Sequence, residues 1–128
     1  MGHPYAVAWV DHQTATILSF DAETAQTQHV RAHQHPTAQH ASGVRAEHEF
    51  FAAVCAALAG DGQILVAAGH VASADFHHYV DKHQPQTAKR IAGYEIVDHP
   101  SEKQLLAQAR SFFDRREHLA APALHQPR

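Results

Sequence analysis

The run Gln63-Ile64-Leu65-Val66-Ala67-Ala68 constrains the fold of this chain more than any other stretch. It is held between Gly60-Asp61-Gly62 and Gly69, so both ends are punctuated by turn-forming residues. The run is too short for a helix and lacks the apolar–polar alternation of a half-solvated strand. It reads as a strand buried on both faces. A strand of that kind needs cover above and below, and the rest of the chain must supply it.

The flanking segments have the right patterns. Tyr5-Ala6-Val7-Ala8-Trp9-Val10-Asp11 is a β-type run, Asp11-His12-Gln13-Thr14 a set of turn formers, and Ala15-Thr16-Ile17-Leu18-Ser19-Phe20 a second strand. After Asp21-Ala22-Glu23, residues Thr24 to Val30 alternate weakly, as an exposed third strand does. The period then changes. Phe50, Phe51, Val54, Cys55 and Leu58 share one stripe of a helix starting near Arg45. Beyond the apolar run, a second helix is expected with Ser73 as N-cap and Phe76, Tyr79 and Val80 inward. Pro85 interrupts it, Thr87-Ala88-Lys89-Arg90 suggests a further turn, and Ala92 to Val97 is the last strand. Ser101-Glu102-Lys103-Gln104 has the form of a capping box, opening a helix whose inward stripe is Leu105, Leu106, Ala109, Phe112 and Phe113. The order β-β-β-α-β-α-β-α predicts an α/β protein with a mixed five-stranded sheet and packed helices, the plan of the ribonuclease H-like fold.

With 128 residues, 45% of them hydrophobic, the chain suffices for one domain, expected over residues 1–119 with a flexible tail at 120–128. No apolar stretch is long enough to span a membrane. The start Met1-Gly2-His3-Pro4-Tyr5 shows no signal-peptide pattern, and the single Cys55 excludes an internal disulfide; both fit a cytoplasmic protein. Cys55 stands among apolar neighbours, as a packed thiol does rather than a nucleophile. A net charge of −3 gives no basic footprint for nucleic acid, but protonating a fraction of the 14 histidines would reverse its sign.

Between the meander and the first helix lies a polar loop of about residues 33–44, running His33-Gln34-His35-Pro36-Thr37-Ala38-Gln39-His40-Ala41-Ser42-Gly43. It has no hydrophobic periodicity, and so long a stretch inside a compact domain calls for a function or for disorder.

Several fragments, in this order and spacing, carry a family resemblance. They are Ala8-Trp9-Val10-Asp11-His12 with Ala15, then Arg45-Ala46-Glu47-His48-Glu49-Phe50-Phe51, Ile64-Leu65-Val66 with Gly69, Asp75-Phe76 with Tyr79, and Gly93 with Val97-Asp98-His99-Pro100. Together they resemble the middle domain of archaeal and eukaryotic peptide-chain release factors and of Pelota. More narrowly, they resemble small bacterial proteins described as translational machinery proteins, which consist of that domain alone. The resemblance places the polar loop where release factors carry a Gly-Gly-Gln tripeptide that promotes peptidyl-tRNA hydrolysis. This sequence contains no Gly-Gly-Gln. Pelota lacks it too, so the resemblance stands while the hydrolytic role falls away. No catalytic residue, resident metal or cofactor is expected from it.

Three chemistries compete for the remaining candidates. The resemblance implies RNA or ribosome contact, with His33, His35, His40 and Arg45 able to approach phosphates and imidazoles able to stack on unpaired bases. His33, His35 and His40 also suit Zn²⁺, Ni²⁺ or Cu²⁺, the basis of a metal-binding or stress-related alternative, although they lack structural-zinc spacing. A third alternative is a divalent-metal-dependent nuclease built on a carboxylate cluster of Asp11, Glu47 and Asp98. Turn formation explains Asp11, helix initiation explains Asp98, and the helix dipole explains Glu47 equally well. The favoured expectation is a non-catalytic, translation-associated protein contacting RNA or the ribosome through the loop and the first helix. An exposed third strand also leaves a homodimer open.

Overall fold

The computed structural model describes residues 3–32, 43–60 and 62–120. Among these, the chain forms β1 (Tyr5–Val10), β2 (Thr14–Phe20), β3 (Ala25–Arg31), α1 (Gly43–Ala57), β4 (Gln63–Ala68), α2 (His70–His83), α3 (Pro85–Arg90), β5 (Ile91–Ile96) and α4 (Glu102–Ala120). The strands make one sheet in the order β3-β2-β1-β4-β5. The first three strands pair antiparallel, while β4 is parallel to both β1 and β5. This is the expected mixed five-stranded sheet of the ribonuclease H-like plan.

The apolar run of β4 is explained by the layers on either side. Ile64, Val66 and Ala68 join one core with Phe50, Phe51 and Val54 of α1 and Phe76 and Val80 of α2. Leu65 and Ala67 point the other way, into a core with Leu105, Ala109 and Phe113 of α4. Every side chain from Ile64 to Ala68 is fully buried. Each large aliphatic residue so placed contributes about 1.5–3 kcal/mol, which is why neither face of β4 tolerates a polar residue. β3 is the contrasting case. It lies at the sheet edge and is exposed along its length apart from Val30, so its sequence alternates only weakly.

Local signals set the boundaries. Gly60, with φ of +96°, occupies the left-handed conformation just past the end of α1. At the start of α4, the Gln104 N–H donates to Ser101 Oγ at 3.1 Å, and the Ser101 N–H donates to Gln104 Oε1 at 2.9 Å. The capping box is therefore complete. α3 starts at Pro85, whose fixed φ suits a first helical position, so this helix is longer than the single turn expected from Thr87.

Ser73 is a correction. It does not cap α2 but lies inside it, buried, with its N–H donating to Gly69 O at 2.8 Å. The extended backbone of Gly69 lets the helix begin directly at the end of β4, one turn earlier than a serine cap would place it. Similarly, α1 begins at Gly43 rather than near Arg45, and β5 is set one residue earlier than Ala92 to Val97. Among the described residues no helix is long and apolar enough to cross a membrane.

Candidate functional site

β1 and β4 lie side by side and parallel, with Val10 opposite Ala68 at their carboxyl ends. From there the chain diverges. β1 turns back into β2 on one side, and β4 continues into α2 and on to β5 on the other. In α/β sheets such a divergence, beyond the strand ends, is the customary ligand position.

The β1–β2 turn is fixed over these strand ends. The Asp11 N–H donates to Thr14 O at 2.8 Å, and Asp11 Oδ1 accepts the N–H of His12 at 2.9 Å. This holds the His12 backbone in place. The His12 imidazole then meets two acids from two helices. His12, Glu47 of α1 and Asp75 of α2 each offer a donor atom, and these atoms lie within 4.8 Å of one another. Nε2 of His12 is 3.4 Å from Oδ2 of Asp75, and its Nδ1 is 3.8 Å from Oδ1 of Asp11. Glu47 is half-buried. Among the described residues no hydrogen bond or ion pair engages its carboxylate.

Helical geometry explains the convergence. Glu47 precedes Phe50 and Phe51 by three and four positions, and Asp75 follows Ala72 by three and precedes Tyr79 by four. Each acid therefore continues the inward stripe of its helix, beside core residues. Behind the acids, α1 and α2 are braced by rings. His48 lies 5.0 Å from Tyr79 and 5.3 Å from His83, centroid to centroid, and Gln84 Nε2 donates to the Tyr79 hydroxyl at 3.3 Å.

Of the carboxylates singled out in the sequence, Glu47 is in this group and Asp11 stands behind it, next to His12. Asp98 is not in the group. Its carbonyl accepts the Trp9 indole N–H at 2.9 Å, and Trp9 packs with the α4 core. The chain leaving β5 has thus crossed to the opposite face of the sheet. Arg45 lies one turn from Glu49, with its Nε 3.7 Å from the carboxylate. His33, His35 and His40 lie outside the described residues. The described chain stops beside the β1–β2 turn, where the Ala32 N–H donates to Gln13 O at 2.8 Å. It resumes at Gly43, one turn before Glu47.

His12 and Asp75 were not picked out as site residues from the sequence. For Asp75 the available signal was a charged residue on an otherwise apolar helical stripe. Cys55 is packed as expected. Burial pushes its thiol up to about 11, against a partial lowering by the Thr87 hydrogen bond and by Arg90, so it is no nucleophile near neutrality.

The same fold occurs in known proteins. Pelota from Archaeoglobus fulgidus superposes with a TM-score of 0.65 at 18% identity, over 94% of this chain and 36% of that one. Pelota from Thermoplasma acidophilum gives 0.59 at 15% identity, over 83% of this chain and 31% of that one. The archaeal translation termination factor aRF1 gives 0.58 at 16% identity, over 95% and 40%. The fold is that of one part of these proteins, 31–40% of each chain. The chain spans less than half the length of each of these three proteins. No protein-family model matches the sequence, and no curated protein matches it.

Proposed function

We propose that this chain is a non-catalytic, translation-associated module that contacts RNA or the ribosome, as a release-factor middle domain without Gly-Gly-Gln would. On this reading it belongs with the small bacterial translational machinery proteins. The observation that supports the proposal is the match of almost the whole chain to part of Pelota and of aRF1. The contact surface is the sheet edge where the described chain stops at Ala32 and resumes at Gly43. Arg45 and the three histidines His33, His35 and His40 supply charge and stacking groups for phosphates and unpaired bases.

Such binding depends on few charges, so it strengthens as histidines protonate and weakens with salt. The test is sedimentation of the tagged protein with ribosomal particles at low and moderate salt, comparing the parent with His33→Ala/His35→Ala/His40→Ala/Arg45→Ala. Association that the fourfold variant loses supports the proposal. A protein that stays at the top of the gradient under every growth and salt condition refutes it.

A further inference from the structure

We propose that His12, Glu47 and Asp75 bind one divalent transition-metal ion at the carboxyl end of β1 and β4, with Asp11 as a positioning residue for His12. The proposal stands on side-chain geometry and does not rest on an RNA or ribosome role.

Three elements that meet only in the folded chain each present one donor, and the three donors lie within 4.8 Å of one another. Two of them are already at ligand spacing. Tetrahedral ligands at about 2.1 Å from an ion stand about 3.4 Å apart, the distance observed between His12 Nε2 and Asp75 Oδ2. A small side-chain rotation of Glu47 closes the other two edges, each now within 4.8 Å. Its carboxylate is free to make it, because no other described group holds it.

A partly buried carboxylate facing a second carboxylate, with one imidazole between them, leaves negative charge uncompensated. A cation at the centre of the three removes that cost. The donor set also selects the ion. One imidazole nitrogen with two carboxylate oxygens suits Zn²⁺ or Mn²⁺, whereas Mg²⁺ and Ca²⁺ favour oxygen donors alone. Three protein ligands leave coordination positions for water or an incoming ligand on the solvent side.

Asp11 completes the arrangement from outside. Its carboxylate faces His12 Nδ1 at 3.8 Å while Nε2 faces the acids. This is ion-pair spacing rather than a hydrogen bond; closing it on metal binding would give the carboxylate–imidazole–metal order that fixes the tautomer and raises ligand basicity.

The experiment is calorimetric titration of the full, untagged chain with Zn²⁺, run in a His33→Ala/His35→Ala/His40→Ala background. Parallel titrations use Mg²⁺, and Co²⁺ absorption reads the ligand set. The expected result is a tightest site of one Zn²⁺ per chain and no comparable Mg²⁺ site. His12→Ala, Glu47→Gln and Asp75→Asn should each weaken that site at least ~10-fold and alter the Co²⁺ spectrum. Asp11→Asn should weaken it by ~10-fold while leaving the Co²⁺ spectrum that of the parent ligand set. Circular dichroism confirms that each variant is folded. Two results overturn the proposal. One is loss of the tight site in the loop background itself. The other is an affinity unchanged by both Glu47→Gln and Asp75→Asn.

Discussion

Gly93 of β5 lies directly beneath the ring of Phe112 of α4, so close that a β-carbon on Gly93 would stand 2.8 Å from Phe112 Cζ. The glycine lets the edge strand and the last helix approach within one ring thickness. Gly93→Ala forces the ring aside and should destabilise the protein by about 1–2 kcal/mol, toward the lower end for an overpacked contact because the ring can tilt. Urea unfolding measures it. In a Phe112→Leu background the same substitution should cost less than half as much. An equal cost in both backgrounds would place the strain elsewhere.

The capping box of α4 gives a second prediction. Ser101 and Gln104 satisfy each other's backbone N–H groups, so Ser101→Ala should cost about 1 kcal/mol. Gln104→Ala should cost less, because its bond reaches only the cap residue. The two bonds orient each other, so the double variant should lose less than the sum of the single losses. Fully additive penalties in a double-mutant cycle would contradict that coupling.

How much was legible in the sequence follows from the range over which each feature is determined. The β4 strand, the Phe50–Leu58 stripe and the Ser101 cap depend on neighbours a few residues away, and all three read directly. The start of α2 did not, because Ser73 is as good a cap by composition as by any local rule. What decides otherwise is the end of β4, which leads through the extended Gly69 straight into the helix at His70. The candidate site was half legible. Asp11 and Glu47 were chosen as acids near strand and helix ends, and both lie at the site. Asp98 was chosen on the same ground, but the Trp9 indole fixes its backbone toward the α4 face. Which side of a sheet a chain emerges on depends on long-range packing that no local spacing encodes. Asp75 carries part of the family resemblance, but nothing in its local spacing marks it as a partner of Glu47, which lies on another helix.

The site and the core should separate cleanly in stability measurements. Phe51 is 1% exposed and sits between Phe76 and Tyr79, at 5.1 and 5.6 Å between ring centroids. Phe51→Ala should cost about 3–5 kcal/mol. Glu47, one turn away, packs no core and has no hydrogen bond or ion pair among the described residues. In chelator-treated protein Glu47→Gln should change stability by less than about 0.5 kcal/mol, or raise it slightly by removing one of two facing carboxylates. Thermal unfolding of both variants in chelator decides the matter, and a loss of several kcal/mol from Glu47→Gln would make that residue structural.

The buried thiol of Cys55 should make the protein alkali-sensitive over a defined window. In the unfolded chain it ionises near its ordinary value of 9.0, and in the folded chain burial holds it protonated to about 11. Below pH 9 both states carry the proton, and pH has no effect through this group. Between pH 9 and 11 the unfolded chain releases the proton and the folded chain keeps it, so rising pH favours unfolding. The loss should reach on the order of 2–3 kcal/mol by pH 11. Tyr94 acts in the same sense at the upper end of the window, since burial first, then Asp81 and Cys55, raise its phenol above the ordinary value of 10.0. Cys55→Ala should therefore be less stable at pH 7, because it leaves a small cavity, yet lose stability less steeply from pH 9 to 10, where Tyr94 contributes little. Urea unfolding at half-unit steps from pH 7 to 11 gives both slopes. A parent and a Cys55→Ala variant with the same slope between pH 9 and 10 would show that the thiol does not set the alkaline limit.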